Sequence, residues 1–250
     1  MINLKHIATR APKDLDKKMT KVKTKQLLEQ MGEYQRMMHA QAKYSLLIVL
    51  QGVDASGKDG AIAKVFSGLN PLGCKVYAFK VTTPLELSYD FLWRVHQQVP
   101  AKGMVQVFNR SYYEDVLVPK VEVWLNEKEI KERYEILNVF EKLLKSNGTH
   151  ILKFYLHISP EEQKQRLLER ITNPKKYWKH NDEDWETVKK WDTFIEAYHE
   201  VFECCNEPNW HIIPADQNWY KEFLIAEKIV ETLKKMDLKY PQEESGKITS

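Results

Sequence analysis

The sequence predicts an α/β fold: a five-stranded parallel sheet with helices on both faces. Three observations carry this expectation. Short apolar runs alternate with longer segments of helical periodicity from residue 45 onward. Each run is followed by a helix-like segment, the arrangement that parallel strands need for their crossovers. The first run ends in Gly52-x-x-x-x-Gly57-Lys58, a glycine-rich turn set between a strand and a helix.

The elements follow in order. Residues 15–42 read as a charged helix, with Leu27, Leu28, Met31, Tyr34, Met37 and Met38 recurring at helical spacing; 1–43 is thus a helical extension that packs on the core. Strands are expected over 45–50, 75–80, 104–108, 150–158 and 210–213. Helices are expected over 58–69, 85–98, 160–171, 184–204 and 217–236, and a loop with helices over 110–145. Asn70-Pro71-Leu72-Gly73 and Ser146-Asn147-Gly148 are turns. A polar, aromatic stretch over 172–182 opens a lid region at 172–200, and 241–250 reads as a frayed tail. Length suits a single domain.

Bulk properties exclude several classes. The 250 residues hold 38 Lys and Arg against 35 Asp and Glu, a net charge of +3, too mild for a general nucleic-acid coat. No uninterrupted apolar segment is long enough to span a membrane, and the N-terminus has no apolar leader pattern. Cys74, Cys204 and Cys205 form neither a disulfide framework nor a metal-ligand spacing, which fits a reducing, cytoplasmic setting.

The chemistry is concentrated at the first strand end. Gly52 and Gly57 let the backbone wrap closely, so that several N–H groups face one oxyanion. The helix that follows adds its positive end, and Lys58 adds a full charge. Gly52, Ala55, Ser56, Gly57, Asp59 and Gly60 are the candidate phosphate contacts of this P-loop. Asp59 stands where a magnesium-binding Ser or Thr is usual. Asp54 lies inside the loop, where a carboxylate beside phosphate requires a cation between them, so the metal is expected at Asp54.

Other segments add to the site. The third strand ends in Asn109-Arg110-Ser111-Tyr112-Tyr113-Glu114-Asp115, beside the P-loop in a parallel sheet. Asn109, Glu114 and Asp115 are candidate metal ligands, and Arg110 can clamp phosphate oxygens; first-turn acids are also ordinary helix starts. Arg166 and Arg170 share a helix face, where an anion would relieve their repulsion and where Glu162 and Glu169 are alternative partners. Basic and aromatic residues alternate over 173–180, as suits a lid over a polyanion. Lys64, Lys75, Lys80 and Arg94 are candidates for an extended phosphate track.

Taken together, these segments resemble the type-2 polyphosphate kinase family. The resemblance rests on Gly-Val-Asp-Ala-Ser-Gly-Lys-Asp-Gly at 52–60, Leu-Trp-Arg at 92–94, Phe-Asn-Arg-Ser-Tyr-Tyr-Glu-Asp-Val-Leu-Val at 108–118, Tyr-Trp-Lys at 177–179 and Ile-Pro-Ala-Asp-x-x-Trp-Tyr at 213–220. It implies a P-loop kinase fold like that of thymidylate kinase, with a helical lid. It implies Mg²⁺, or Mn²⁺ in its place, and phosphoryl transfer between inorganic polyphosphate and the nucleotides AMP, ADP and ATP. Where Asn109 stands, other members carry Asp; Asn109 with Glu114-Asp115 resembles the class III subgroup, which phosphorylates both AMP and ADP. The resemblance gives Asp54, Lys58, Arg110, Arg166 and Arg170 the catalytic roles and implies a homodimer or homotetramer. Two other readings of the residues are an ATP-dependent nucleoside monophosphate kinase and a non-catalytic RNA binder; the acidic pair Glu114-Asp115 argues against nucleic acid as partner.

Overall fold

The computed structural model describes residues 2–242. The expected frayed tail therefore lies almost wholly outside the described residues. Five strands, β1 (Ser45–Gln51), β2 (Cys74–Ala78), β3 (Val105–Asn109), β4 (Thr149–His157) and β5 (Trp210–Pro214), form one parallel sheet in the order β2-β3-β1-β4-β5. The strand that carries the P-loop is central, as the sequence predicts, and all seven of its residues are buried. Each buried Leu, Ile or Val side chain of this strand contributes about 1.5–3 kcal/mol through burial.

Among the described residues ten α-helices connect and flank the strands: α1 (Lys17–Gln41), α2 (Lys58–Val65), α3 (Pro84–Leu87), α4 (Trp93–His96), α5 (Glu114–Val121), α6 (Glu127–Ser146), α7 (Pro160–Thr172), α8 (Glu183–Lys189), α9 (Trp191–Cys204) and α10 (Asn218–Lys235). The first crossover, through α2, runs one way along the sheet and the later ones run back. With right-handed connections this puts helices on both faces. The packing agrees: α10 packs on both α1 and α2, whereas α5, α6 and α9 pack on one another and α6 lies on β4. The extension α1 is capped by the Asp16 carboxylate, which accepts from Met19 N, and it buries Met31 and Met38.

Two expected helices are each two pieces. The segment 85–98 breaks because Ser88 and Asp90 bind local backbone: Ser88 Oγ donates to Leu85 O and Asp90 accepts from Leu92 N. Short polar side chains compete with the helix in this way. The segment 184–204 breaks at Lys190, whose backbone leaves helical geometry and whose ammonium pairs with Glu122, just past the end of α5.

Register places the site. Leu50 is level with Asn109 of β3 and Phe154 of β4, and Ala78 of β2 is level with Asn109. The β1 and β3 ends thus open at one height, and Arg110 N donates to Leu50 O at 3.0 Å. A buried charge cluster anchors the loop after β3. Lys153 and Glu141 pair at 2.8 Å with both side chains fully buried, and the Tyr112 and Tyr113 hydroxyls donate to Glu141 Oε1 at 2.7 and 2.8 Å. Lys153 also donates to Cys205 O at 2.8 Å, so every member of the cluster is partnered.

Candidate active site

The P-loop joins β1 to α2 through backbone that only particular residues tolerate. Gly57 has φ +90°, and a Cβ there would lie 2.5 Å from Lys221 Nζ. Gly52 has φ +149°, and a Cβ there would meet Leu156 O at 2.9 Å. Ala55 also takes a left-handed conformation, φ +61°. The loop folds around Lys58, whose ammonium donates to Gly52 O at 2.7 Å and Val53 O at 3.3 Å. Burial, with repulsion from Arg110 next in weight, lowers the Lys58 pKa to about 8.

Asp54 and Arg110 meet across the loop at 2.6 Å, and Arg110 reaches Glu114 at 3.7 Å on its other side. The Thr187 hydroxyl donates to the second Asp54 oxygen at 3.1 Å. Burial opposes ionisation of Asp54, but the Arg110 and Lys58 charges outweigh it and hold the carboxyl below the usual range. Attraction to Glu114, against burial, raises the Arg110 pKa further. Asp59 faces outward, accepts from Asn109 Nδ2 at 2.9 Å and pairs with Lys179 at 3.0 Å. Burial pushes its pKa up, and these two hydrogen bonds bring it below the usual value.

Two clefts meet at this ion pair. One, of about 510 Å³, is lined by the loop from Asp54 to Gly60 with Arg166, Arg170, Lys176, Lys179 and Lys221. The other, of about 500 Å³, is more apolar: Leu117, Val118, Trp191, Phe194 and Tyr198 line it with Glu114 and Glu122. Asp54 and Arg110 belong to both. A polyanion fits the first cleft by charge, and a flat aromatic group fits the second by its apolar wall.

The carboxylates Asp54 and Glu114 fit a divalent cation. They converge on one positive group, Arg110, and each has an unpartnered buried acceptor beside it. Gln51 donates to Glu114 at 3.0 Å and leaves its Oε1 without a partner; Gln163 donates to Asp54 O at 3.0 Å and leaves its own. Such acceptors suit the waters of a hydrated ion. Among the described residues no three acids, histidines or cysteines cluster as a metal cage. Mg²⁺ ordinarily uses one or two carboxylates together with substrate phosphates.

A family model for polyphosphate kinase 2 (PPK2) matches residues 14–241. The chain belongs to the polyphosphate kinase 2 family. It is 46% identical over 222 residues to an AMP/ADP-polyphosphate phosphotransferase of Meiothermus ruber, covering 88% of this chain and 83% of that one. It is 36% identical over 229 residues to an ADP-polyphosphate phosphotransferase of Rhodopseudomonas palustris, covering 86% and 79%. The crystal structure of polyphosphate kinase 2 from Arthrobacter aurescens TC1 superposes with a TM-score of 0.94 at 34% identity, covering 98% of this chain and 90% of that one.

Within this PPK2 chain the expected site residues separate into groups. Asp54, Lys58, Arg110, Asn109 and Glu114 lie together at the strand ends. Arg166 and Arg170 line the polar cleft but have partners of their own. Arg166 Nε donates to Glu162 at 2.8 Å and its NH2 to Ala215 O at 2.7 Å, while Arg170 pairs with Asp184. Glu169 pairs instead with Lys176.

Three expectations need correction. Asp115 is not placed as a metal ligand: both its oxygens accept from Arg94, at 3.2 and 3.0 Å, and it lines neither cleft. Arg94, 7% exposed, is therefore a structural cation rather than part of a phosphate track. The track itself does not form. Lys64 stands in the last turn of α2 and Lys75 is the second residue of β2, neither lining either cleft, and Lys80 lines the apolar cleft.

The sequence does not mark Lys176, Lys179, Thr187 or Lys221 individually as site residues. The first two stand in the basic-aromatic lid stretch. Lys221 carried a signal: on α10 it is in register with the buried Ile225, Ile229 and Leu233, an apolar stripe where a lysine is out of place.

Proposed function

We propose that this chain transfers a phosphoryl group from inorganic polyphosphate to AMP and to ADP, with Mg²⁺ as cofactor. The observation that carries the reading is the meeting of a cationic cleft and an apolar cleft at the Asp54–Arg110 pair. Membership of the family and the name of the Meiothermus ruber relative support the choice of donor and of both acceptors.

In this reading the polyphosphate chain lies in the cationic cleft and the nucleoside against Trp191, Phe194 and Tyr198. Arg110 touches both phosphates and aligns them. The loop N–H groups and Lys58 neutralise the transferred group, Arg170 covers it from α7 and Lys179 from the lid. Bound at Asp54 and Glu114, Mg²⁺ would offset negative charge on the phosphate oxygens. The acceptor phosphate is already an oxyanion near neutral pH, so no general base is needed, and alignment with charge neutralisation supplies the catalysis. Water is kept from the reacting group by the 174–179 turn and α8, which touch Asp59 and Asp54. The Lys179 ammonium, which donates to Asp59, accounts for an acid in the position of the usual hydroxyl. The same reading takes the protein to be a cytoplasmic homo-oligomer, dimer or tetramer.

The test supplies purified protein with Mg²⁺, long-chain polyphosphate and AMP or ADP as sole nucleotide, with Lys58→Ala purified in parallel. ADP from AMP and ATP from ADP, both lost in the variant, are expected. Product from ATP but none from polyphosphate would turn the reading to a nucleoside monophosphate kinase.

A further inference from the structure

Lys221 is a buried lysine whose hydrogen-bonding partners carry no negative charge. Its side chain comes from the first turn of α10 and is fully enclosed. The ammonium donates to Gly57 O at 2.9 Å and to Asn218 Oδ1 at 3.0 Å. Both acceptors are neutral, and an ammonium has three N–H groups, so one remains. Among the described residues it forms no ion pair. By contrast the other fully buried lysine, Lys153, has Glu141 at 2.8 Å.

The position of the spare charge is specific. The point where a Cβ of residue 57 would sit lies 2.5 Å from Lys221 Nζ and 3.1 Å from Arg166 NH1. Two cations therefore lie against Gly57, close enough together for one anion to bridge them, and the next residue along is Lys58. Burial, then repulsion from Arg166, lowers the Lys221 pKa to about 8. Isolated buried charges are costly to a fold unless something pairs with them. An anion in the cleft beside Gly57 would accept from both side chains and remove the repulsion. Lys221 and Asn218 line the cationic cleft and not the apolar one.

We propose that Lys221, together with Arg166 across Gly57, binds the polyphosphate donor one phosphate away from the group held by Lys58, and so sets affinity for the donor and not for the nucleotide. This rests on the polyphosphate reading above. It also gives Gly57 a second role beside its positive φ: a Cβ there would displace the Lys221 ammonium.

The experiment compares wild type with Lys221→Met by calorimetric titration with inorganic tripolyphosphate, by thermal melting without ligand, and by steady-state KM for polyphosphate and for ADP. Loss of one charged hydrogen bond should weaken tripolyphosphate binding and raise KM for polyphosphate about tenfold or more. KM for ADP should stay within about twofold, and the ligand-free melting temperature should hold or rise, because an unpaired buried charge has gone. A purely structural lysine predicts the reverse: a lower melting temperature with tripolyphosphate binding intact, and that result overturns the proposal. If Lys221→Met does not fold, Asn218→Ala removes the anchor of the ammonium and should raise the tripolyphosphate Kd in the same direction; an unchanged Kd overturns the proposal equally. Wild-type protein that binds no tripolyphosphate at all would remove the polyphosphate reading itself, an outcome separate from a variant that binds as well as wild type.

Discussion

Arg110 lies 2.6 Å from Asp54 on a backbone turned to φ +61°, so the residue after β3 is aimed back across the P-loop. A non-glycine residue in that conformation costs free energy, of order 1 kcal/mol, that packing around Tyr112 and Tyr113 must offset. The result is one guanidinium between two carboxylates, Asp54 and Glu114, at the junction of both clefts. Arg110→Ala and Asp54→Ala are each expected to lower kcat about 100-fold or more. Arg110→Lys should recover only part, since a lysine cannot span two oxygens in one plane. Rates near wild type in either alanine variant would remove these residues from the site.

The pairing of Asp115 with Arg94 leads to a different kind of prediction. The Arg94 and Asp115 side chains are 7% and 12% exposed, and Arg133 NH1 also donates to Asp115 O. Asp115→Asn removes the charge and leaves Arg94 buried without its counter-ion, a loss of about 3 kcal/mol. Urea denaturation should record that loss, while the Mg²⁺ concentration for half-maximal activity stays unchanged. A shift in the Mg²⁺ dependence with stability preserved would return Asp115 to the metal site. Glu114→Gln is the comparison, and there the Mg²⁺ dependence should move.

Much of this arrangement is legible in the amino-acid sequence, and the reasons are local. The strands show because β1 and β4 are apolar runs bounded by turn residues, and the P-loop shows because glycine spacing between strand and helix has few other uses. Helix breaks at Ser88–Asp90 and at Lys190 are hidden, since they depend on one hydroxyl, one carboxylate and a partner at the end of α5. Asp115 reads like Glu114 in the sequence. Only the helix direction separates them, sending one toward Arg110 and the other toward Arg94. Lys153 and Lys221 are the clearest loss. Each is a charge in an apolar pattern, and composition gives no hint that one meets Glu141 while the other meets the P-loop.

The lid is held to the loop by side chains that can be tested singly. Arg170 pairs with Asp184, the Thr187 hydroxyl donates to Asp54, and Lys179 pairs with Asp59. Asp184 is pushed toward a higher pKa by burial and by the nearby Asp54 charge, so its bond to Arg170 is made against a resisting environment. Asp184→Asn should free Arg170 for phosphate and loosen α8. The expected result is faster hydrogen exchange over 174–189 in the ligand-free protein, restored by tripolyphosphate. Unchanged exchange would mean that other contacts hold the segment.

Stability in mild alkali gives an independent reading of the loop. The Lys221 ammonium faces Arg166 and Lys58, which repel it, and Glu222 and Asp59, which attract it more weakly than burial disfavours it. In the native chain both Lys58 and Lys221 release a proton near pH 8, whereas in the unfolded chain they hold it to about pH 10.4. Between those values the unfolded state binds more protons than the native state, so stability rises with pH across this window. Urea unfolding at pH 7.5 and 9.5 should show a gain of about 3–4 kcal/mol in the ligand-free protein. Lys221→Met should show roughly half of it. Saturating tripolyphosphate should abolish the rise in wild type, because a bound anion favours the charged lysines and returns their pKa values toward the ordinary range. A rise of equal size in wild type and variant would place the titration elsewhere. A rise that persists under saturating tripolyphosphate would mean that the anion binds away from Lys221 and Lys58, against both lysines' assignment to the donor chain.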